Sequence, residues 1–208
     1  MESEISVVVL AGGRSSRMGK DKALLPLGGR TLLEHVLDRV KPLTEDVVVV
    51  TRDPRRFQDL PARVVGDEPG PRGALTGLYS GLRATRNDLA LAVACDMPFL
   101  NLRLIRYMAL LAPGHDVVIP RVRGFLEPLH AFYRKSCLGP IREVLDRGEQ
   151  KVIAFFPQVR VRVVEGWNLE VFDPAYRSFI NVNTPEDWET VQRLFAGESE
   201  REVCASGE

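Results

Sequence analysis

The chain has 208 residues, 45% of them apolar and 27% charged, with 28 basic residues against 28 acidic ones. That length suits one domain with a single buried core. A formal charge of zero excludes the broad basic field that holds nucleic acid or an anionic membrane, while leaving room for a small phosphate-bearing ligand at a local cluster. The longest uninterrupted apolar run, Leu89 to Cys95, is seven residues, far short of the ~20 that span a bilayer. The opening Met1-Glu2-Ser3-Glu4 lacks the basic and apolar regions of a signal peptide. Three scattered cysteines (Cys95, Cys137, Cys204), with no Cys-x-x-Cys pair, fit a reducing compartment. A cytoplasmic protein is expected, with neither nucleic acid nor membrane as partner.

Along the chain, Ile5 to Ala11 is a β-branched run that stops at Gly12-Gly13, a strand entering a loop. Leu32, Leu33, Val36, Leu37 and Val40 recur at helical spacing, and Thr31 with Glu34 forms a capping box at the start. Asp46–Thr51 and Ala62–Val65 read as strands, and Gly73–Ala84 as a helix despite Gly77 and Gly81. Asp88–Cys95 is a strand without polar alternation, as in the centre of a parallel sheet. Then come a helix at Leu102–Leu111, strands at Asp116–Pro120 and Pro128–Tyr133, a helix at Cys137–Arg147 and a strand at Val159–Val164. Phe179–Val182 is expected as the last strand. Pro185–Phe195 is expected as the last helix, with Thr184 as N-cap. Alternation of this kind predicts an α/β fold: a single three-layer domain over residues 1–196, with a mostly parallel twisted sheet and helices on both faces. Residues 197–208 are expected as a charged, disordered tail.

Ligands of such sheets bind outside the C-terminal ends of the strands. The segment Leu10-Ala-Gly-Gly-Arg-Ser-Ser-Arg-Met-Gly-Lys-Asp-Lys22 starts at one such end. Its paired glycines admit a close backbone approach, its amides can cradle phosphate oxygens, and Arg14, Arg17, Lys20 and Lys22 add four cations within nine residues. An ordinary solvated loop would account for the glycines alone, but not for glycines and cations together. It is not a Walker loop, because Asp21 stands where Ser or Thr is required, and no G-x-G-x-x-G occurs.

This segment resembles the L-A-G-G-x-x-x-R-M-G-x-D-K signature of nucleotidyltransferases that include the molybdenum cofactor guanylyltransferases. The resemblance continues in order through Asp67, Gly73-Ala-Leu-Thr-Gly-Leu78, Cys95-Asp96-Met-Pro98, Pro128-Leu-His-Ala-Phe-Tyr133 and Asn181-Val-Asn-Thr-Pro-Glu-Asp187. The Asn-x-Asn-Thr-Pro block, joined to Cys-Asp-x-Pro, narrows it toward the molybdopterin enzymes. In one departure, the second strand ends at Thr51, where that family often has Asn.

The resemblance implies Mg²⁺-dependent transfer of GMP from GTP to the phosphate of molybdopterin or its molybdenum-loaded form, with pyrophosphate released. Nucleotide contacts fall on Leu10, Ala11, Gly12, Gly13, Arg14, Lys22, Thr51, Asp67 and Asp96. Asp96, Lys22 and Arg17 are the catalytic candidates, and Asp96 is the metal ligand, since Mg²⁺ favours hard oxygen donors together with substrate phosphates. On the residues alone, Asp96, leaving a buried strand into the crevice, is well placed to hold the cation, with an N-cap or turn before the next helix as the lesser alternative, whereas Asp67 could as readily serve the turn Gly66-Asp-Glu-Pro69. Asn181 and Asn183 share one face if the segment is a strand; with His130 they are the pterin-side candidates, although Asn183 also suits a turn before the Thr184 cap. Cytidylyl transfer to molybdopterin, nucleotidyl transfer to a sugar phosphate, and a non-catalytic nucleotide or pterin carrier are the competing readings. Transient contact with molybdoenzyme apoproteins or their chaperones is a further expectation.

Overall fold

The computed structural model describes residues 5–12 and 21–205, with side chains as far as 197. In chain order the elements are β1 (Ile5–Leu10), β2 (Pro26–Leu27), β3 (Arg30–Thr31), α1 (Leu32–Val40), β4 (Val47–Thr51), β5 (Arg63–Gly66), α2 (Ala74–Ala84) and β6 (Leu89–Ala94). They continue as α3 (Leu102–Leu110), β7 (Val117–Val122), β8 (Phe125–Leu126), β9 (His130–Arg134), α4 (Leu138–Asp146), β10 (Val161–Glu165), α5 (Trp167–Glu170) and α6 (Pro185–Ala205). The last helix thus runs past Phe195, where its sequence pattern ends.

Seven strands form the sheet in the order β10-β7-β9-β6-β1-β4-β5, with β8 added to β7 and a separate β2–β3 hairpin. The pairs of β1 with β4 and β6, of β4 with β5, and of β7 with β10 are parallel; β9 runs antiparallel between β6 and β7. Alternation along β1 divides the core into two faces. Val7 and Val9 pack with Leu33, Val36 and Leu37 of α1 and Leu104 and Met108 of α3. Val8 and Leu10 pack with Leu75, Leu78 and Leu82 of α2 and Ile141 and Val144 of α4. The expected three-layer α/β domain is therefore observed.

Local chemistry sets the helices. Thr31 accepts from the Glu34 amide at 3.2 Å while the Glu34 carboxylate accepts from the Thr31 amide at 2.7 Å, the reciprocal capping box that starts α1. The two glycines within α2 serve approach rather than flexibility. A Cβ on Gly81 would overlap Val8 Cγ1, and one on Gly77 would lie 3.2 Å from Leu10 Cδ2.

Phe179–Val182, expected as a strand, is not one. Arg177–Phe179 forms a 3-10 turn, and the following residues join no ladder. They cross the end of β6, where the Val182 amide donates to the Asp96 carbonyl at 3.3 Å. Both edges of β6 are already taken by β1 and β9, so no strand edge is open to this segment. A third apolar cluster, of Leu25, Leu27, Leu32, Phe99, Val182 and Val191, ties the β2–β3 hairpin and α6 together. This cluster brings the two ends of the chain to one place.

Candidate functional site

Three segments far apart in sequence converge beyond the C-terminal ends of β1 and β6. The Lys22 ammonium donates to Asp96 Oδ2 at 3.0 Å and to Asn183 Oδ1 at 2.7 Å. Lys22 opens a short 3-10 turn whose N-cap is Asp21: the Asp21 carboxylate accepts from the Ala23 amide at 3.2 Å and pairs with Arg56 at 2.8 Å. The aspartate that breaks the Walker pattern is thus the residue that aims Lys22.

Asp96 follows strand β6, buried from Leu89 to Val93, and is itself largely buried. It does not cap α3, because Asn101 does so, accepting from the amides of Arg103 and Leu104 at 2.9 and 3.2 Å. Asn183 has both roles the sequence allows. Its amide donates to the Asp187 carboxylate at 2.9 Å within the Thr184–Asp187 cap of α6, while its side chain accepts from Lys22. Asn181 lies two residues earlier, and its Oδ1 is buried without a hydrogen-bond partner among the described residues. Buried acceptors are ordinarily paired, so this one marks a place for a donor or a cation.

The nucleotide-side candidates gather around β1, β4 and β5. Thr51, buried at the end of β4, pairs in register with Gly66, which immediately precedes Asp67. The Asp67 carboxylate lies 3.6 Å from where a Gly77 Cβ would stand, over Leu10. Burial of its inner side pushes its carboxyl above the usual range, and Arg52 works against that.

The β1 loop needs one correction. The Ala11 amide donates to the Val50 carbonyl at 2.8 Å, and the Leu10 carbonyl accepts from Cys95 at 3.1 Å. The backbone therefore leaves the sheet only from Gly12 onward, and the Ala11 amide is spent on the fold. Gly12 is exposed, and among the described residues no atom lies within 4 Å of where its Cβ would stand. Gly13, Arg14 and Arg17, like Lys20, lie outside the described residues.

His130 also departs from expectation. It is 0% exposed, its ring packs 4.7 Å from Phe179, and neither ring nitrogen has a hydrogen-bond partner among the described residues. Side-chain alternation along β9 turns it, like Phe132, to the α1–α3 face and away from the crevice wall. Burial pushes its pKa down to about 4, against the pull of Asp173, so the ring is neutral above that pH. It underlies the segment that carries Asn181 and Asn183. Cys95 and Cys137 are buried thiols, pushed above the usual range and, for Cys137, to about 12.

Among the described residues no group of three or more His, Cys, Asp or Glu gathers as a metal cage. The oxygens present, the Asp96 carboxylate with the amide oxygens of Asn181 and Asn183, are hard donors. They fit a Mg²⁺ that takes one carboxylate and completes its shell with water and phosphate oxygens. No helix among the described residues is long and apolar enough to cross a membrane.

Residues 7–162 match the family model described as the MobA-like NTP transferase domain. The chain is 40% identical over 180 residues to a Pelotomaculum thermopropionicum protein named probable molybdenum cofactor guanylyltransferase, covering 86% of this chain and 88% of that one. It is 35% identical over 194 residues to the molybdenum cofactor guanylyltransferase of Syntrophotalea carbinolica, covering 92% of each. The crystal structure of molybdopterin-guanine dinucleotide biosynthesis protein A from Archaeoglobus fulgidus is similar with a TM-score of 0.82 at 27% identity, covering 92% of this chain and 99% of that one.

Proposed function

The chain belongs to the MobA-like NTP transferase domain family, and on that footing we propose that it transfers GMP from GTP to the phosphate of molybdopterin, releasing pyrophosphate. The observation that carries this reading is the meeting of Asp96 and Asn183 on the Lys22 ammonium, each within 3.0 Å of it, where an α/β sheet places its ligands.

In the reaction, an oxygen of the acceptor phosphate attacks the α-phosphorus of GTP. The bond to the bridging oxygen breaks, and pyrophosphate leaves with the electron pair. The attacking oxygen is already anionic, so the protein needs no strong general base; positioning and charge neutralisation carry the catalysis. An ammonium has three donors. With two on Asp96 and Asn183, the third N–H of Lys22 can turn to a phosphate oxygen. Gly12 offers backbone access to the triphosphate, and Arg14 and Arg17 add charge to its β- and γ-phosphates. Asp67, beside Thr51, supplies an acceptor for the base or ribose. Asp96, with Asn181 and Asn183, would hold Mg²⁺, which would supply further neutralisation of the phosphates.

A carrier that only binds nucleotide or pterin would have no use for this concentration of charge control. Incubation of the protein with molybdopterin, Mg²⁺ and either GTP or CTP tests the proposal. Pyrophosphate and a guanine dinucleotide should form in equal amounts with GTP. Release of pyrophosphate without dinucleotide, or no release, would overturn it.

A further inference from the structure

Beyond β9 from Asp96, a cleft of about 680 Å³ opens beside the β7–β8 hairpin, walled by Phe125, Leu126, Val152 and Ile153, with Arg121 and Lys151 at its rim. We propose that this cleft seats the fused-ring heterocycle of the acceptor, with Phe125 as its stacking wall and Lys151 as its anchoring cation. The inference rests on the reading of the chain as a transferase to molybdopterin, and it assigns the acceptor's rings a place separate from Lys22, Asp96 and Asn183.

Position is the first argument. His130 at the start of β9 pairs with Val93 near the end of β6, and Val118 of β7 pairs with Phe132. Since β9 is antiparallel to both neighbours, β7 ends on the same edge of the sheet as β6. Two strand spacings, about 10 Å, separate these ends. The cleft also adjoins the nucleotide wall: Gln150, next to Lys151, lies 3.8 Å from where a Gly73 Cβ would stand, and Gly77, one turn further along α2, carries Asp67 against it. Gln150 thus links the chain that walls the cleft to the start of α2, the helix against which Asp67 lies.

Composition is the second argument. Phe125 is 75% exposed, a large ring facing water at a hairpin whose turn is fixed by left-handed φ at Arg123 (49°) and Gly124 (87°). Ile153 is also exposed. Flat apolar walls with few polar groups, at this volume, are the ordinary make-up of a small-molecule site, and an aromatic face stacks on a planar heterocycle irrespective of its substituents. The rim charge is positive, as an anionic acceptor requires. Arg121 is held in place by Glu165 at 3.0 Å, whereas Lys151 is exposed and forms no ion pair among the described residues.

Steady-state kinetics on Phe125→Ser and Lys151→Glu, with Leu110→Ser as an equally exposed control on α3, test the assignment. A parallel fluorescence titration with 6-hydroxymethylpterin reads ring binding without turnover. We expect Phe125→Ser to raise the KM for molybdopterin about tenfold and to weaken pterin binding similarly, with the KM for GTP changed less than twofold. Lys151→Glu should act in the same direction, and Leu110→Ser should change neither constant. An unchanged molybdopterin KM in Phe125→Ser, or an equal rise for GTP, would overturn the assignment while leaving the transferase reading standing. Should the wild type transfer no GMP yet bind pterin in a Phe125-dependent way, the cleft stands and the transferase reading falls; absence of both turnover and pterin binding ends both.

Discussion

At the N-terminal edge of the sheet, the Asp46 carboxylate accepts from the Ser6 hydroxyl, from the Arg86 amide at 2.7 Å and from the Arg63 guanidinium. At the C-terminal edge, Asp96 accepts one side-chain bond among the described residues, from Lys22 at 3.0 Å. Both carboxylates are buried. Burial opposes the charge of Asp46, yet the bonds from Ser6, Arg86 and Arg63 outweigh it and hold its carboxyl below the usual range. The difference shows what a buried charge is for. Where its lone pairs are filled by β1, β5 and the approach to β6, it is a staple for strand starts. Where they are left to one lysine and whatever the crevice admits, it is a site.

The sharpest way to break this contrast is to neutralise each aspartate in turn. Asp96→Asn keeps the shape and removes the charge, so kcat should fall by roughly 10²–10³-fold, as when one preorganised electrostatic group is lost, with the melting temperature unchanged. A pyrophosphate-release assay alongside calorimetry reads both; near-wild-type turnover would return Asp96 to the structural class. Lys22→Ala should weaken GTP by about 2–3 kcal/mol while weakening GMP far less, because the lost charge-assisted contact lies toward the β- and γ-phosphates. Equal losses for the two nucleotides, measured by titration calorimetry, would move Lys22 to the α-phosphate.

Asp46→Ala is the mirror experiment. It strands the Ser6 hydroxyl and the Arg86 amide, at a cost of about 2 kcal/mol, which in a chain of this size lowers the melting point by roughly 4–8 °C. Turnover per folded molecule should be retained. The same staple has a pH signature. A carboxylate whose folded pKa is depressed gives stability that is present above its unfolded value and lost as pH falls through its folded value. Asp116, held at about 2 chiefly by its hydrogen bond to Arg160, behaves alike. Stability should therefore decline as the pH drops from near 4 toward 2, and Asp46→Asn should flatten that decline. An unaltered acid profile in the variant would show that Asp46 is not a source of it.

The order of strands and helices was legible because each element carries its own local pattern: the β-branched runs of β1 and β4, the apolar stripe and Thr31–Glu34 box of α1, the unbroken apolar β6. The Lys22, Asp96 and Asn183 candidates were legible as blocks, but their contact was not, since it depends on the cluster of Leu27, Val182 and Val191 that joins chain ends. Phe179–Val182 has strand composition and lacks a strand's partner, because edge availability is a property of the whole sheet. In sequence Asp21 stands out only as the residue that breaks the Walker pattern and Asp46 only as the start of a strand; their bonding partners lie on other elements. His130 sits in a motif at the crevice edge, and only the alternation of β9 turns it inward.

The finest test of the contrast between filled and unfilled carboxylates concerns Asp67, which stands between the two cases. It is open on one side and desolvated on the other, so its carboxyl is pushed above the usual range by burial, and it faces the wall formed by Leu10 and Gly77. Guanine presents N1–H and N2–H₂ as a donor edge, and an acceptor pair placed against that edge leaves adenine or cytosine with an unpaired group, a penalty of roughly 1–3 kcal/mol. GTP should therefore be preferred over ATP and CTP by about tenfold, the equivalent of 1.4 kcal/mol. Asp67→Asn replaces one acceptor by a donor and should bring the three nucleotides toward parity in kcat/KM, mainly by weakening GTP. If discrimination survives the substitution intact, Asp67 holds the ribose and not the base, and the guanine edge must be read by backbone carbonyls near Thr51. If the wild type itself prefers CTP, the base pocket belongs to a cytidylyl transfer, while Lys22, Asp96 and the contrast with Asp46 keep their places.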